Sequence, residues 1–180
     1  MFDKIEPTGF IMHQNLKSFS SINNINISID FHLSKNKVQL SFLIKGALNE
    51  YIFPEKSKQK RADELWKATS FELFLANSKK EEYYELNFTS SLAWNFYYLN
   101  SYRADVKEVK IISKPQIEVF SSNDKFKIVF ELEVKNLVEF DVCNVACIVL
   151  NKNNERTFWS INHLLDVADF HERRNFLEIS

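Results

Sequence analysis

Apolar and polar residues alternate along most of this chain with a period of two. In INISIDFHL, Ile25, Ile27, Ile29, Phe31 and Leu33 alternate with Asn26, Ser28, Asp30 and His32, which predicts a strand with one face buried. KVQLSFLIK repeats the pattern with Val38, Leu40, Phe42 and Ile44, and the polar residues 34–36 between the two segments predict a hairpin that ends at Gly46. FELFLA, EYYELNFT and AWNFYYL follow in close succession, joined by polar residues 77–81 and 90–91. Pro115 opens QIEVF; then come KFKIVFELEV, VCNVACIVLN, RTFWSI and FLEI. Helical signals are confined to residues 63–67 and 136–140. Nine or ten short strands with tight polar turns predict an all-β chain, an antiparallel sandwich of the jelly-roll type.

Composition narrows the picture. A chain of 180 residues is long enough for one well-buried core and short for two, so residues 1–180 are expected to form a single domain. With 45% apolar residues, 17 Phe, two Gly and three Pro, it is neither disordered nor repetitive. A net charge of −1 argues against nucleic acid and anionic membranes as partners, since both call for a concentrated positive field. The basic cluster Lys56, Lys58, Lys60 and Arg61 beside Pro54 reads as a solvated loop. No apolar run approaches the roughly 20 residues of a membrane helix, and the acidic residues and Pro of MFDKIEPTGFIMH interrupt what a signal peptide needs. A cytoplasmic location is therefore expected. Cys143 and Cys147 lie on one expected strand, about 13 Å apart at ~3.3 Å per residue, too far for a disulfide. They are expected to be reduced core residues.

Two acids break the apolar pattern. Glu72 shares a strand face with Phe74, opposite Phe71, Leu73 and Leu75; Glu85 shares one with Tyr83 and Asn87. If the two strands are neighbours, Glu72, Glu85 and Asn87 form one polar-aromatic surface. A carboxylate among apolar neighbours is costly unless paired, and cross-strand pairing with Arg103 or Arg61 is expected ahead of acid–base work of the glycosidase kind. Residue types fit a sugar-like ligand: aromatic faces stack on the C–H faces of a pyranose, and carboxylates and amides meet its hydroxyls. Trp66, Trp94, Tyr98, Tyr102 and Trp159 offer faces; Glu72, Asn87, Asn95 and Arg103 offer polar groups.

LWKATSFELFLA, YYELNFTSSLAWNFYYLNSYR and TFWSINHLLDVADFHERRNFLEI together resemble the stand-alone bacterial DOMON-like proteins, relatives of family 9 carbohydrate-binding modules. The resemblance spans roughly residues 10 to 179. It implies a β-sandwich that binds sugars or, in some branches, haem. It also implies a Trp six residues before a strand Glu, a spacing met by Trp66 and Glu72, and a second Trp closing on the sugar, for which Trp159 is the candidate. The chain departs from these relatives at Ser90 and Leu92, where they carry Pro and Gly, and at Leu164 and Leu165 after His163.

His163, Asp169 and His171 complete the set of expected ligand-binding residues. As an alternative, these three offer a metal- or haem-binding or enzymatic centre. The spacing matches no established metal motif, and no CxxCH sequence is present. No cofactor is expected, and Met1 and Met12, the two Met available for haem ligation, lie outside the motif blocks. The Ser160, His163 and Asp169 set lacks the nucleophile elbow of a hydrolase. A third alternative is a protein-interaction module using an exposed aromatic sheet face.

Overall fold

A computed structural model describes residues 9–22, 24–111, 113–135 and 139–179. Its strands in chain order are β1 (Phe10–Asn15), β2 (Lys17–Ser18), β3 (Ile25–Leu33), β4 (Lys37–Gly46), β5 (Tyr51–Ile52), β6 (Lys60–Arg61), β7 (Ser70–Ala76), β8 (Tyr83–Phe88), β9 (Ala93–Leu99), β10 (Lys107–Glu108), β11 (Gln116–Ser121), β12 (Lys125–Glu133), β13 (Val142–Asn151), β14 (Arg156–Ser160) and β15 (Leu177–Glu178). The chain is an antiparallel β-sandwich. One sheet runs β1-β3-β4-β12-β11. The larger runs β10-β9-β8-β7-β13-β14-β2, with β15 and β5 on β13 and β6 lying parallel to β9.

Period-two alternation builds the sandwich directly. Every second side chain of β3, β4, β7, β8, β12 and β13 points between the sheets, where Phe42, Phe71, Phe88 and Phe130 are all buried. Ring centroids lie 4.8 Å apart for Phe42–Phe71, 5.6 Å for Phe71–Phe88 and 4.6 Å for Phe88–Phe130. The rings tie the two sheets together through dispersion and apolar burial. At the end of the predicted β3–β4 hairpin, the Ser34 amide donates to the Lys37 carbonyl at 2.9 Å. Gly46 closes β4 at φ +124°, where an added Cβ would sit 2.2 Å from the Asn24 carbonyl oxygen; no L side chain fits that approach.

The structure departs from expectation at several elements. FIMHQN, not singled out by its pattern, forms β1 because it can pair along the whole edge of β3, Phe10 opposite Leu33 through Asn15 opposite Ser28. FLEI contributes only Leu177–Glu178. The signal at residues 63–67 becomes a single 3-10 turn, Leu65–Lys67, and that at 136–140 falls largely on residues outside those described. Met1 and the beginning of the N-terminal segment also lie outside them. In the basic cluster Lys56, Lys58 and Lys60 are exposed, but Arg61 is not part of a solvated loop. It pairs beside Trp94 and reaches the larger sheet's outward face, donating to Asn95 Oδ1 at 2.6 Å. Cys143 and Cys147 are unpaired and buried in β13.

Candidate functional site

The outward face of the larger sheet carries two polar rows where apolar residues would be free of cost. Strand register places Ser160, Ala146, Glu72, Asn87 and Asn95 side by side across β14, β13, β7, β8 and β9. The next row holds Asn144, Phe74, Glu85, Tyr97 and Glu108. Period two explains the grouping: in β7, Phe71, Leu73 and Leu75 go to the inter-sheet core and Glu72 and Phe74 to the outside, while in β8 Tyr83, Glu85 and Asn87 do the same.

This floor is recessed. Glu72 and Asn87 are each only 4% exposed. Three segments cover it. Residues 61–67 cross its β9 side: Asp63 accepts from the Tyr97 hydroxyl at 2.5 Å and from Asn95 Nδ2 at 3.1 Å. That segment leads into the Leu65–Lys67 turn, which packs against β7 and β8 and leaves Trp66 44% exposed. The Arg156 guanidinium lies 5.0 Å from the Trp66 ring centroid. The turn around 101–104 holds Arg103 at φ +54°, with its backbone amide donating to the Tyr83 hydroxyl at 3.1 Å.

The C-terminal segment supplies the third wall. Asn144, fully buried in β13, donates from Nδ2 to the Phe170 carbonyl at 3.0 Å, while its Oδ1 accepts from Ser160 Oγ at 2.9 Å. Asn175 likewise donates to the Asp169 carbonyl at 3.0 Å. These bonds set His171 over Phe74, rings 5.0 Å apart, with Nδ1 2.6 Å from the Tyr83 hydroxyl and Nε2 3.9 Å from a Glu85 carboxylate oxygen. Asp169 accepts from the Tyr102 hydroxyl at 2.7 Å and from Arg103 Nη2 at 3.0 Å. Replacing Asn144 by Ala strands a buried carbonyl and a buried hydroxyl, so it is expected to cost about 1–3 kcal/mol. Faster hydrogen exchange at the Phe170 and His171 amides, with the β3–β4 hairpin unchanged, checks that the loss is local.

The electrostatics are those of acids short of partners. Burial, and then the neighbouring Glu85, push the Glu72 carboxyl up to about 8. Among the described residues its hydrogen-bond partner is Ser70 Oγ, at a long 3.4 Å. Glu85 is also raised by burial, against a 2.7 Å bond from Asn87 Nδ2. With Nδ2 committed, the buried Asn87 Oδ1 has no hydrogen-bond partner. Burial, and then Arg103, push His171 down to about 4, so its imidazole is neutral near pH 7. For Asp169, burial is outweighed by the bonds from Tyr102, Arg103 and the His171 amide, and the carboxyl stays below its ordinary value.

The expected pairing of the two acids with arginine is not found. Arg61 is drawn away at the sheet edge by Asn95, the Val109 carbonyl and Glu108. Arg103 is held by Asp169 and Tyr102.

Of the residues singled out from the sequence, Glu72, Asn87, Arg103, Asp169 and His171 converge on this face, with Trp66 at its exposed margin. Trp94, Tyr98 and Trp159 do not. Trp94 and Trp159 are each 3% exposed in the inter-sheet core, because they alternate with the outward Asn95 and Ser160. Their indoles therefore offer a ligand no face. Tyr98 faces inward too, lining a cleft of about 400 Å³ at the mouth of the sandwich with Tyr84 and Phe96. His163 stands apart, its Nε2 donating to the Lys17 carbonyl at 3.0 Å and its ring edge-on to Phe19. Among the described residues no group of His, Cys, Asp and Glu is arranged to hold a metal ion. Glu85, Tyr83, Tyr97 and Asp63 were not among the expected binding residues. Tyr83 and Glu85 have the parity of Asn87, a signal present in YYELNF; Asp63 had none, since it reaches the face from a loop.

An antiparallel β-sandwich with a recessed polar sheet face is thus the class of protein that the fold and the site define. No family model and no curated protein matches the sequence. The fold is similar to the crystal structure of a candidate carbohydrate-binding protein from Bacteroides uniformis, with a TM-score of 0.60 and 12% identity over 92% of this chain and 84% of that one. A family 9 carbohydrate-binding module from Caldicellulosiruptor kristjanssonii in complex with cellotriose gives a TM-score of 0.48 and 10% identity over 83% of this chain and 72% of that one. A family 9 module from the same organism in complex with glucose gives 0.43 and 8% over 87% and 78%.

Proposed function

We propose that this protein is a non-catalytic binding module for a carbohydrate or a sugar-like polar ligand, held on the outward face of the larger sheet, and that it is a DOMON-like relative of the family 9 carbohydrate-binding modules. The observation that carries the reading is the cross-strand pair Glu72 and Asn87. Both are buried, yet among the described residues the Asn87 carbonyl oxygen has no donor and the Glu72 carboxyl has only a long contact with Ser70. Buried acceptors without donors are uncommon in folded proteins, and in a polar face a bound ligand is one way to complete the set. A polyol supplies hydroxyl donors at sub-nanometre spacing. The exposed Trp66 indole supplies an apolar surface for its C–H face. Likeness of fold to the candidate carbohydrate-binding protein of Bacteroides uniformis agrees with the reading.

Calorimetric titration with a panel of mono- and oligosaccharides tests it. Binding of at least one sugar is expected, with Trp66→Ala weakening it about tenfold, the order of one aromatic contact. Silence across the panel, or a bound sugar indifferent to Trp66→Ala, overturns it.

A further inference from the structure

The floor of the site is one-sided in its hydrogen bonding. Glu72 and Asn87 are direct cross-strand partners, roughly 5 Å apart at Cβ, and Glu85 sits two residues before Asn87 on the same face, about 7 Å along the strand. The Asn87 amide donates to Glu85. This fixes the orientation of the amide and leaves Oδ1, a pure acceptor, buried without a partner among the described residues. What faces the ligand is therefore a carboxyl, a carbonyl oxygen and a second carboxyl.

Against the burial that raises them, Arg103 lowers the Glu72 and Glu85 carboxyls through its charge but, among the described residues, makes its ion pair with Asp169 and with neither of them. Arg61 is bound to Asn95, and the His171 ring lies 3.9 Å from Glu85 with its other nitrogen on Tyr83. A neutral hydroxyl has one proton to give and leaves most of these acceptors unmet. A primary ammonium has three donors on one atom, and its charge favours the ionised form of both acids, so that its binding near neutral pH draws the proton off Glu72.

We propose that the ligand of this site carries a protonated primary amine, as in an amino sugar with a free amino group, seated among Glu72, Asn87 Oδ1 and Glu85. The proposal rests on the binding-module reading above and narrows its ligand class. Glu72 and Glu85 set the charge preference, Asn87 fixes the third contact, and Trp66 covers the sugar ring. Acetylating the amine removes both charge and two donors, so an N-acetyl sugar is excluded from the same seat.

Sugars compared in pairs differing only at the amine provide the test: glucosamine against glucose, galactosamine against galactose and mannosamine against mannose, each beside its N-acetyl form, titrated calorimetrically at pH 7. In at least one series the amine is expected to bind ten- to a hundredfold tighter than the hydroxyl sugar, the range separating charged from neutral hydrogen bonds, with the N-acetyl form weakest. Glu72→Gln is expected to weaken the amine by at least tenfold more than it weakens the hydroxyl sugar, while circular dichroism shows it folded. Hydroxyl or N-acetyl sugars binding as tightly as the amines overturns the amine inference and leaves the binding-module reading standing. Failure of every sugar to bind overturns both.

Discussion

Glu72→Gln is expected to remove most of a loss of stability that the unmodified protein shows between pH 6.5 and pH 8. In the unfolded chain this carboxyl titrates at its ordinary 4.5; in the folded protein, burial and then Glu85 raise it to about 8. Between those values the folded state keeps a proton that the unfolded chain has released. Raising the pH therefore favours unfolding, by about 1.4 kcal/mol per pH unit for one group, and the effect levels off above pH 8. Glu85, raised in the same direction, adds to it.

His171 works with the opposite slope. Its folded value is pushed down from 6.5 to about 4, so between those limits the unfolded chain holds the extra proton and stability rises with pH. The two slopes offset each other up to about pH 6.5, and the falling limb stands alone from there to pH 8. Unfolding free energies from urea titrations at pH 6.5 and pH 8 are expected to differ by about 2 kcal/mol in the unmodified protein, and by much less in Glu72→Gln. Equal free energies at the two pH values in the unmodified protein would show that Glu72 ionises normally in the fold.

Phe71→Ala is expected to cost about 3–5 kcal/mol, a large share of the roughly 5–15 kcal/mol that holds a domain together. Phe71 is fully buried at the middle of the sandwich, its ring 4.8 Å from Phe42, 5.6 Å from Phe88 and 6.0 Å from Phe126. Its neighbours sit on strands paired along their length and cannot collapse into the space. Urea unfolding should show a lower midpoint with an unchanged slope; a cost under 1 kcal/mol would mean that the sheets close over the gap. Ligand affinity should fall with stability, because the adjacent residue of β7 is Glu72.

Much of the site was legible because strand parity is a local property. Glu72 opposite Phe71, Leu73 and Leu75, and Glu85 in step with Asn87, follow from counting by two, and the adjacency of β7 and β8 follows from the short polar connection between them. The aromatic candidates fared differently. Trp94, Tyr98 and Trp159 were singled out by residue type, while their parity against Asn95 and Ser160 turns them into the core. A Trp in a strand serves a ligand or a core equally well by chemistry; only the face decides.

The sequence by itself determined the sandwich: alternating apolar residues, polar turns and scarce Gly and Pro leave antiparallel sheets as the way to bury its apolar side chains. It also determined that two acids would stand where apolar residues are the cheaper choice. Only the tertiary structure decided what surrounds them. Asn144 and His171 come from segments far from Glu72 along the chain and Asp63 from the loop that leads into β7, and their hydrogen bonds depend on paths that no local period encodes. The recessed floor of Glu72, Asn87 and Glu85 belongs to that second kind of information. Burial and the commitment of the nearby Arg103 to Asp169 are properties of the folded chain, and they are what make two misplaced carboxyls the side chains proposed to set ligand choice.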